Sequence, residues 1–197
     1  MSIVVEHEKR RKEILENALD VFIREGYVDA NFQKIADKCR ITRTTLYLYF
    51  RNKKDIFNYS LKLLLGKLEA DIRLIISDSA LDSVEKITKV LMKIFSHIEE
   101  NRSLLSVVMD YLLHLSKSRD DPAKPVRRRT LRLRHILSSL VIEGIKTGKL
   151  KPVNVKTADD YLYSFIEAAI FRITVLRQET VGDLRETALF AVRQFTK

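Results

Sequence analysis

Only five glycines and three prolines interrupt 197 residues, and long stretches run without either. Those two residues end helices, whereas the Leu, Ile, Lys, Arg and Glu that fill the stretches favour them. No segment alternates apolar and polar residues as a half-buried strand does. The expected fold is therefore all-α. Ile14, Ala18, Val21 and Phe22 recur at i, i+4, i+7 and i+8, one apolar stripe of a helix over about residues 8–25. Gly26 is placed to end it.

Capping residues locate the other helices. Asn31 can cap a short helix over 32–39, with Phe32, Ile35, Ala36 and Cys39 on its inner side, and Thr42 can cap another over 43–50. Asn52 with Asp55 suggests a long fourth helix to about Ser77, and Asp82 with Glu85 a further start. Asn101 marks the next. Residues 120–125, Asp-Asp-Pro-Ala-Lys-Pro, read as a loop, and 148–155 as a break. Thr157 with Asp160 fits a capping box for a helix through Arg177, and Gly182-Asp183 precede a last helix over 184–195. The tally is about nine helices. They are expected to divide into a head of residues 1–52 and a second helical domain of residues 53–197.

Several function classes find no support. Apolar residues make up 46% and charged residues 31%, the balance of a folded domain rather than a disordered chain. The single cysteine, Cys39, leaves no internal disulfide or multi-cysteine metal site. Ile3, Val4 and Val5 are too short a cluster for a signal peptide core, and no apolar run approaches the ~18 residues that span a bilayer. A cytoplasmic protein without membrane partners is expected. His7, His97, His114 and His135 form no i, i+4 pair and no Glu-x-x-His, and the glycines make no phosphate loop. No catalytic residue, metal ligand or cofactor is expected.

The segment 33–54 is different. Lys34, Lys38, Arg40, Arg43, Arg51, Lys53 and Lys54 face one acid, Asp37, so a net +6 of the chain's formal +10 sits in 22 residues. Two short helices after a longer one make a helix-turn-helix arrangement. On the second, Arg43, Thr44, Tyr47 and Leu48 share one side while Leu46 points away. Arginine suits guanine in a major groove, and Thr or Tyr hydroxyls suit phosphates or base edges. The charge alone would equally suit a solvated helical hairpin.

This segment resembles the TetR family of transcriptional regulators. The resemblance lies in Arg11-Lys12-Glu13-Ile14-Leu15 through Phe22-Ile23-Arg24-Glu25-Gly26-Tyr27, then Ile35-Ala36, then Ile41-Thr42-Arg43-Thr44-Thr45-Leu46-Tyr47-Leu48-Tyr49-Phe50-Arg51-Asn52-Lys53. It implies base contacts at Gln33, Arg43 and Thr44, an apolar contact at Leu48, and phosphate contacts at Thr45, Tyr47, Tyr49 and Lys53, with Thr42 capping the recognition helix. One position departs. The family usually has glycine before Ile41, and here stands Arg40, which in a left-handed turn carries roughly 1–2 kcal/mol of strain.

The resemblance further implies a homodimer paired through its last two helices, a palindromic double-stranded DNA operator, and a small-molecule effector that releases it. Leu162, Ile166, Ala169, Ile173 and Leu176, and Leu184, Ala188, Ala191 and Phe195, are spaced as heptad-type seams. Such seams suit a partner or the chain's own core. Met92, Phe95, Met109, Tyr111, His114 and Phe165 are candidate effector contacts, though each also suits plain core. The cations from Lys117 to Arg134 (Lys117, Arg119, Lys124, Arg127, Arg128, Arg129, Arg132, Arg134) could meet an anionic effector or flanking DNA, or merely face water. The expected function is a DNA-binding repressor. A helical ligand-binding protein without DNA function and a TetR-like activator are the alternatives.

Overall fold

The computed structural model describes residues 3–115 and 124–197. Among these it has nine helices and no strand: α1 (Ile3–Asp29), α2 (Phe32–Lys38), α3 (Arg43–Tyr47), α4 (Lys53–Ser77), α5 (Ser83–Glu100), α6 (Arg102–Leu115), α7 (Lys124–Lys146), α8 (Val155–Thr174) and α9 (Gly182–Phe195). Among the described residues, no helix is long and apolar enough to cross a membrane.

Local chemistry explains most boundaries. Asn31 accepts from the Lys34 amide at 3.0 Å and Thr42 from the Thr45 amide at 3.1 Å. The Asp82–Glu85 capping box closes from both sides. Elsewhere the helices depart from expectation. α1 begins at Ile3, and Gly26 (φ 75, ψ 168) breaks it before a further turn to Asp29. α3 stops at Tyr47, after which Phe50 turns inward to 2% exposure. Asn154, not Thr157 with Asp160, caps α8, accepting from the Thr157 amide at 3.0 Å. α8 ends at Thr174, short of Arg177, whose φ is 54. Of the expected 120–125 loop, Lys124 and Pro125 belong to α7, where proline is tolerated in a first turn. Residues 120–123 lie outside the described residues.

The chain forms two compact units. One takes the chain up to Lys67 together with Val107–Leu113; the other takes Leu68–Ser106 and the chain from His114 onward. In the first, Ile14, Ala18 and Phe22 of α1 are fully buried, as are Ile35 and Ala36 of α2, Leu46 of α3 and Ile56 and Phe57 of α4. Cys39 is buried with them. Burial raises its thiol pKa, as expected of a small apolar filler rather than a reactive group.

In the second unit α5, α7, α8 and α9 enclose a core that includes Leu91, Phe95, Leu137, Leu162, Ala169 and Ala188. Polar clamps tie its rim. Arg185 of α9 donates to the Met92 carbonyl at 3.3 Å and Ser96 Oγ at 3.2 Å, and it pairs with Glu99. Glu99 also accepts from the Val181 amide at 2.8 Å. These bonds lie between elements far apart in sequence, which periodicity does not report.

Among the glycines, Gly144 of α7 alone leaves no room for a side chain. A Cβ there would meet Leu150 Cδ1 and Cγ at 2.6 Å and Ser83 Oγ at 2.8 Å. In an open helix, Gly→Ala stabilises by ~1 kcal/mol. Here we expect the opposite sign: Gly144→Ala should cost about 1–3 kcal/mol through overpacking. Urea unfolding measures this, and an unchanged or raised midpoint would show that Leu150 yields freely.

Candidate nucleic-acid interface

α2 and α3 are joined by a tight turn with a definite cause. The Arg40 amide bonds to the Asp37 carbonyl and the Ile41 amide to the Ala36 carbonyl, both at 3.0 Å. This pair of bonds is the Schellman closure, which requires a left-handed residue at the position Arg40 occupies. Arg40 adopts φ 54. The expected strain is therefore present, in an exposed arginine.

From this turn α3 presents two faces. Leu46 is wholly buried, whereas Tyr47 is 49% and Leu48 75% exposed. Arg43 and Thr44 are exposed with them. Arg43 Nη2 donates to the Tyr47 hydroxyl at 3.1 Å, with the guanidinium 5.7 Å from that ring's centroid. Tyr47 stacks on Phe32 of α2 at 4.7 Å. Thr42 and Thr45 hydroxyls lie 2.8 Å apart. Gln33 is exposed on α2, its amide donating to Asp37 at 2.7 Å. The outward set of Gln33, Arg43, Thr44, Tyr47 and Leu48 thus presents guanidinium, amide, hydroxyl and methyl chemistry, the vocabulary of major-groove recognition.

The positive charge is smaller than the count suggests. Lys34 pairs with Glu25 at 2.7 Å and Lys38 with Asp20 at 3.3 Å. Both acids belong to α1, outside the segment that was counted. Lys53 also departs from expectation. Its ammonium donates to the Tyr27 carbonyl at 2.7 Å and the Val28 carbonyl at 2.9 Å. Sequence reading also missed a brace on the other side: His7 of α1 stacks on half-buried Tyr49 at 4.6 Å. Arg10 donates to the Cys39 carbonyl at 3.3 Å. No local signal links residues 29 to 42 positions apart.

Other expected sites fare differently. Leu162, Ile166, Ala169, Ile173, Leu184, Ala188 and Ala191 are all buried within this chain. Phe195 is half-buried against Tyr161. These seams serve the chain's own core and leave only Leu176 at 55% exposure. Apolar side chains exposed on or just beyond α8 and α9 also include Tyr161, Phe171, Val175 and Phe190, at 47%, 53%, 53% and 63%. The six candidate effector contacts do not gather within either unit. Phe95, Phe165 and half-buried Met92 belong to the α5–α9 core. Met109 and Tyr111 belong to the first unit, where Tyr111 packs on Tyr27 and Phe57. The His114 side chain lies outside the described residues. A hollow of about 10 Å³ opens beside Ile87, Leu150, Val153 and Phe195, room for about one water. None of the six lines it. In the basic run, Arg134 is held by Asp159 at 2.8 Å and by Asp160. Arg127, Arg128 and Arg132 are exposed and Arg129 half-buried. Lys117, Arg119 and the Lys124 side chain lie outside the described residues.

Comparison with known proteins agrees with this geometry. Residues 14–59 match the family described as bacterial regulatory proteins, tetR family. The fatty acid metabolism regulator protein of Bacillus subtilis is 27% identical over 170 residues, covering 83% of this chain and 84% of that one. The transcriptional repressor KstR2 of Mycolicibacterium smegmatis is 28% identical over 159 residues, covering 80% and 74%. Both relatives are regulators by name. Among solved structures, a TetR transcription regulator from Haloarcula marismortui superposes with a TM-score of 0.80 at 20% identity, over 96% of this chain and 97% of that one. The regulator FadR of Bacillus subtilis, solved with stearoyl-CoA, gives 0.71 at 24% identity over 92% and 96%.

The turn offers its own test. Arg40→Gly removes the left-handed penalty while adding some unfolded-state entropy. We expect a net gain of up to about 1 kcal/mol in urea unfolding. A loss instead would mean that the arginine side chain contributes more than its backbone costs.

Proposed function

We infer that this chain, a TetR-family helix-turn-helix regulator, binds duplex DNA sequence-specifically as a homodimer and leaves it when a small-molecule effector binds. The observation that carries this reading is the outward face of α3, with Leu46 wholly buried behind Arg43, Thr44, Tyr47 and Leu48. Residues 1–52 would form the reading head and residues 53–197 the effector and dimer part. Gln33, Arg43 and Thr44 would meet base edges, with Leu48 against a thymine methyl; Thr45, Tyr47 and Tyr49 would hold phosphates. Thr42 would act from behind, as the cap. Repression is the outcome that KstR2, a repressor by name, favours. The cytoplasm, where DNA is, is the proposed location.

Dimerisation is proposed through the exposed Phe171, Val175, Leu176 and Phe190 rather than the buried seams. Pairing there would bury four large apolar side chains. Two heads 34–36 Å apart would then enter successive major grooves of a palindrome. The effector class we favour is a molecule with an acyl chain, on the precedent of the stearoyl-CoA complex of the Bacillus regulator. It would prefer a state with different head spacing, a coupling of about 1–3 kcal/mol.

Mobility shifts with the DNA upstream of the protein's own gene, over a salt series, test the reading. Affinity should fall as salt rises. Arg43→Ala should cost about 1–3 kcal/mol on the preferred sequence and relax base preference. A flat salt response, or equal affinity for random DNA, would remove the proposal. Phe171→Glu with Phe190→Glu should leave a folded monomer in sedimentation and abolish tight operator binding. A variant that still sediments as a dimer places the interface elsewhere.

A further inference from the structure

The DNA-reading proposal gives Lys53 an obvious task as a phosphate ligand, and its surroundings argue against that task. The Lys53 ammonium is engaged by two carbonyls, Tyr27 at 2.7 Å and Val28 at 2.9 Å. It also lies 4.6 Å from the centroid of the Tyr27 ring. The end of α1 at Asp29 creates the need for this contact: the Tyr27 and Val28 carbonyls lie in its last turn, and carbonyls at a helix end need outside donors. A lysine there satisfies them and complements the negative end of the helix. The Tyr27 ring is fixed in turn by Phe22 at 5.9 Å, Phe57 at 4.9 Å and Tyr111 at 4.4 Å. Burial lowers the Lys53 pKa, an effect Asp29 partly opposes.

We propose that Lys53 is a positioning residue, which locks the end of α1 to the start of α4 and so fixes the link that carries α3. Lys53 is the first residue of α4, and only residues 48–52 separate it from α3. To reach a phosphate the ammonium would have to abandon two charge-assisted bonds and an aromatic face, leaving both carbonyls unmet. Held as it is, it converts a five-residue link into one with a fixed end. The inference rests on the DNA-binding reading above, because what it positions is the recognition helix.

The test uses the full chain and a duplex that the wild-type protein selects from a random pool. Lys53→Met keeps the stem and removes the charge and donors. Tyr27→Leu removes the ring but leaves the charge. Affinities for the selected duplex and for random duplex are measured over a salt series, with urea unfolding to confirm that each variant is folded. A positioning role predicts that both variants lose about tenfold or more on the selected duplex. The slope of log affinity against log salt should stay unchanged, and random-duplex affinity should hold within about twofold. The proposal is overturned if Lys53→Met lowers the slope by about one and weakens both duplexes in parallel while Tyr27→Leu binds like wild type. Should the wild-type protein select no sequence, the DNA-binding reading itself fails, which is a separate result.

Discussion

A helix of five residues has almost no stability of its own, since the first turn costs more order than its one or two hydrogen bonds return. α3 is such a helix, and the head is organised around supplying what it lacks. Thr42 caps its first turn, Leu46 anchors it in the core, and Phe50 buries the chain just beyond it. Tyr47 leans on Phe32 of the preceding helix. Each contact lies behind or beside α3, so its outer surface is free of structural duty. That division of labour leaves Arg43, Thr44 and Leu48 facing outward on a rigid element.

What the sequence made legible follows from how far each cause reaches. Caps act over three residues, so Asn31, Thr42 and Asp82 could be identified by inspection. The helix count came from caps and breakers, and the inner sides of α1 and α2 from periodicity, a one-turn property. Periodicity states only that a stripe is buried, not by what. The α8 and α9 seams therefore fitted a partner as well as they fit their own core. Of their residues, all but Leu176 and half-buried Phe195 are buried within this chain. The pairs Lys34–Glu25, Lys53–Tyr27 and His7–Tyr49 join segments with no local relationship, and no inspection of spacing finds them.

The α5–α9 core leaves a hollow of about 10 Å³, while Arg185, Glu99 and the Val181 amide tie α9 and its approach to α5. A ligand larger than that hollow which entered this core would have to part these elements, so its binding would be offset by disrupted packing. A ligand that rearranges a core discriminates between conformations, which is the requirement for shifting a population.

The internal neutralisation of Lys34 by Glu25 and of Lys38 by Asp20 has a consequence for the solvent. DNA carries a sheath of condensed cations, and a protein gains entropy for each one it displaces. A lysine already matched to an acid displaces fewer. A head built this way would draw less of its affinity from ion release and more from fit, and random genomic sequence, which offers charge without fit, would compete for it less effectively.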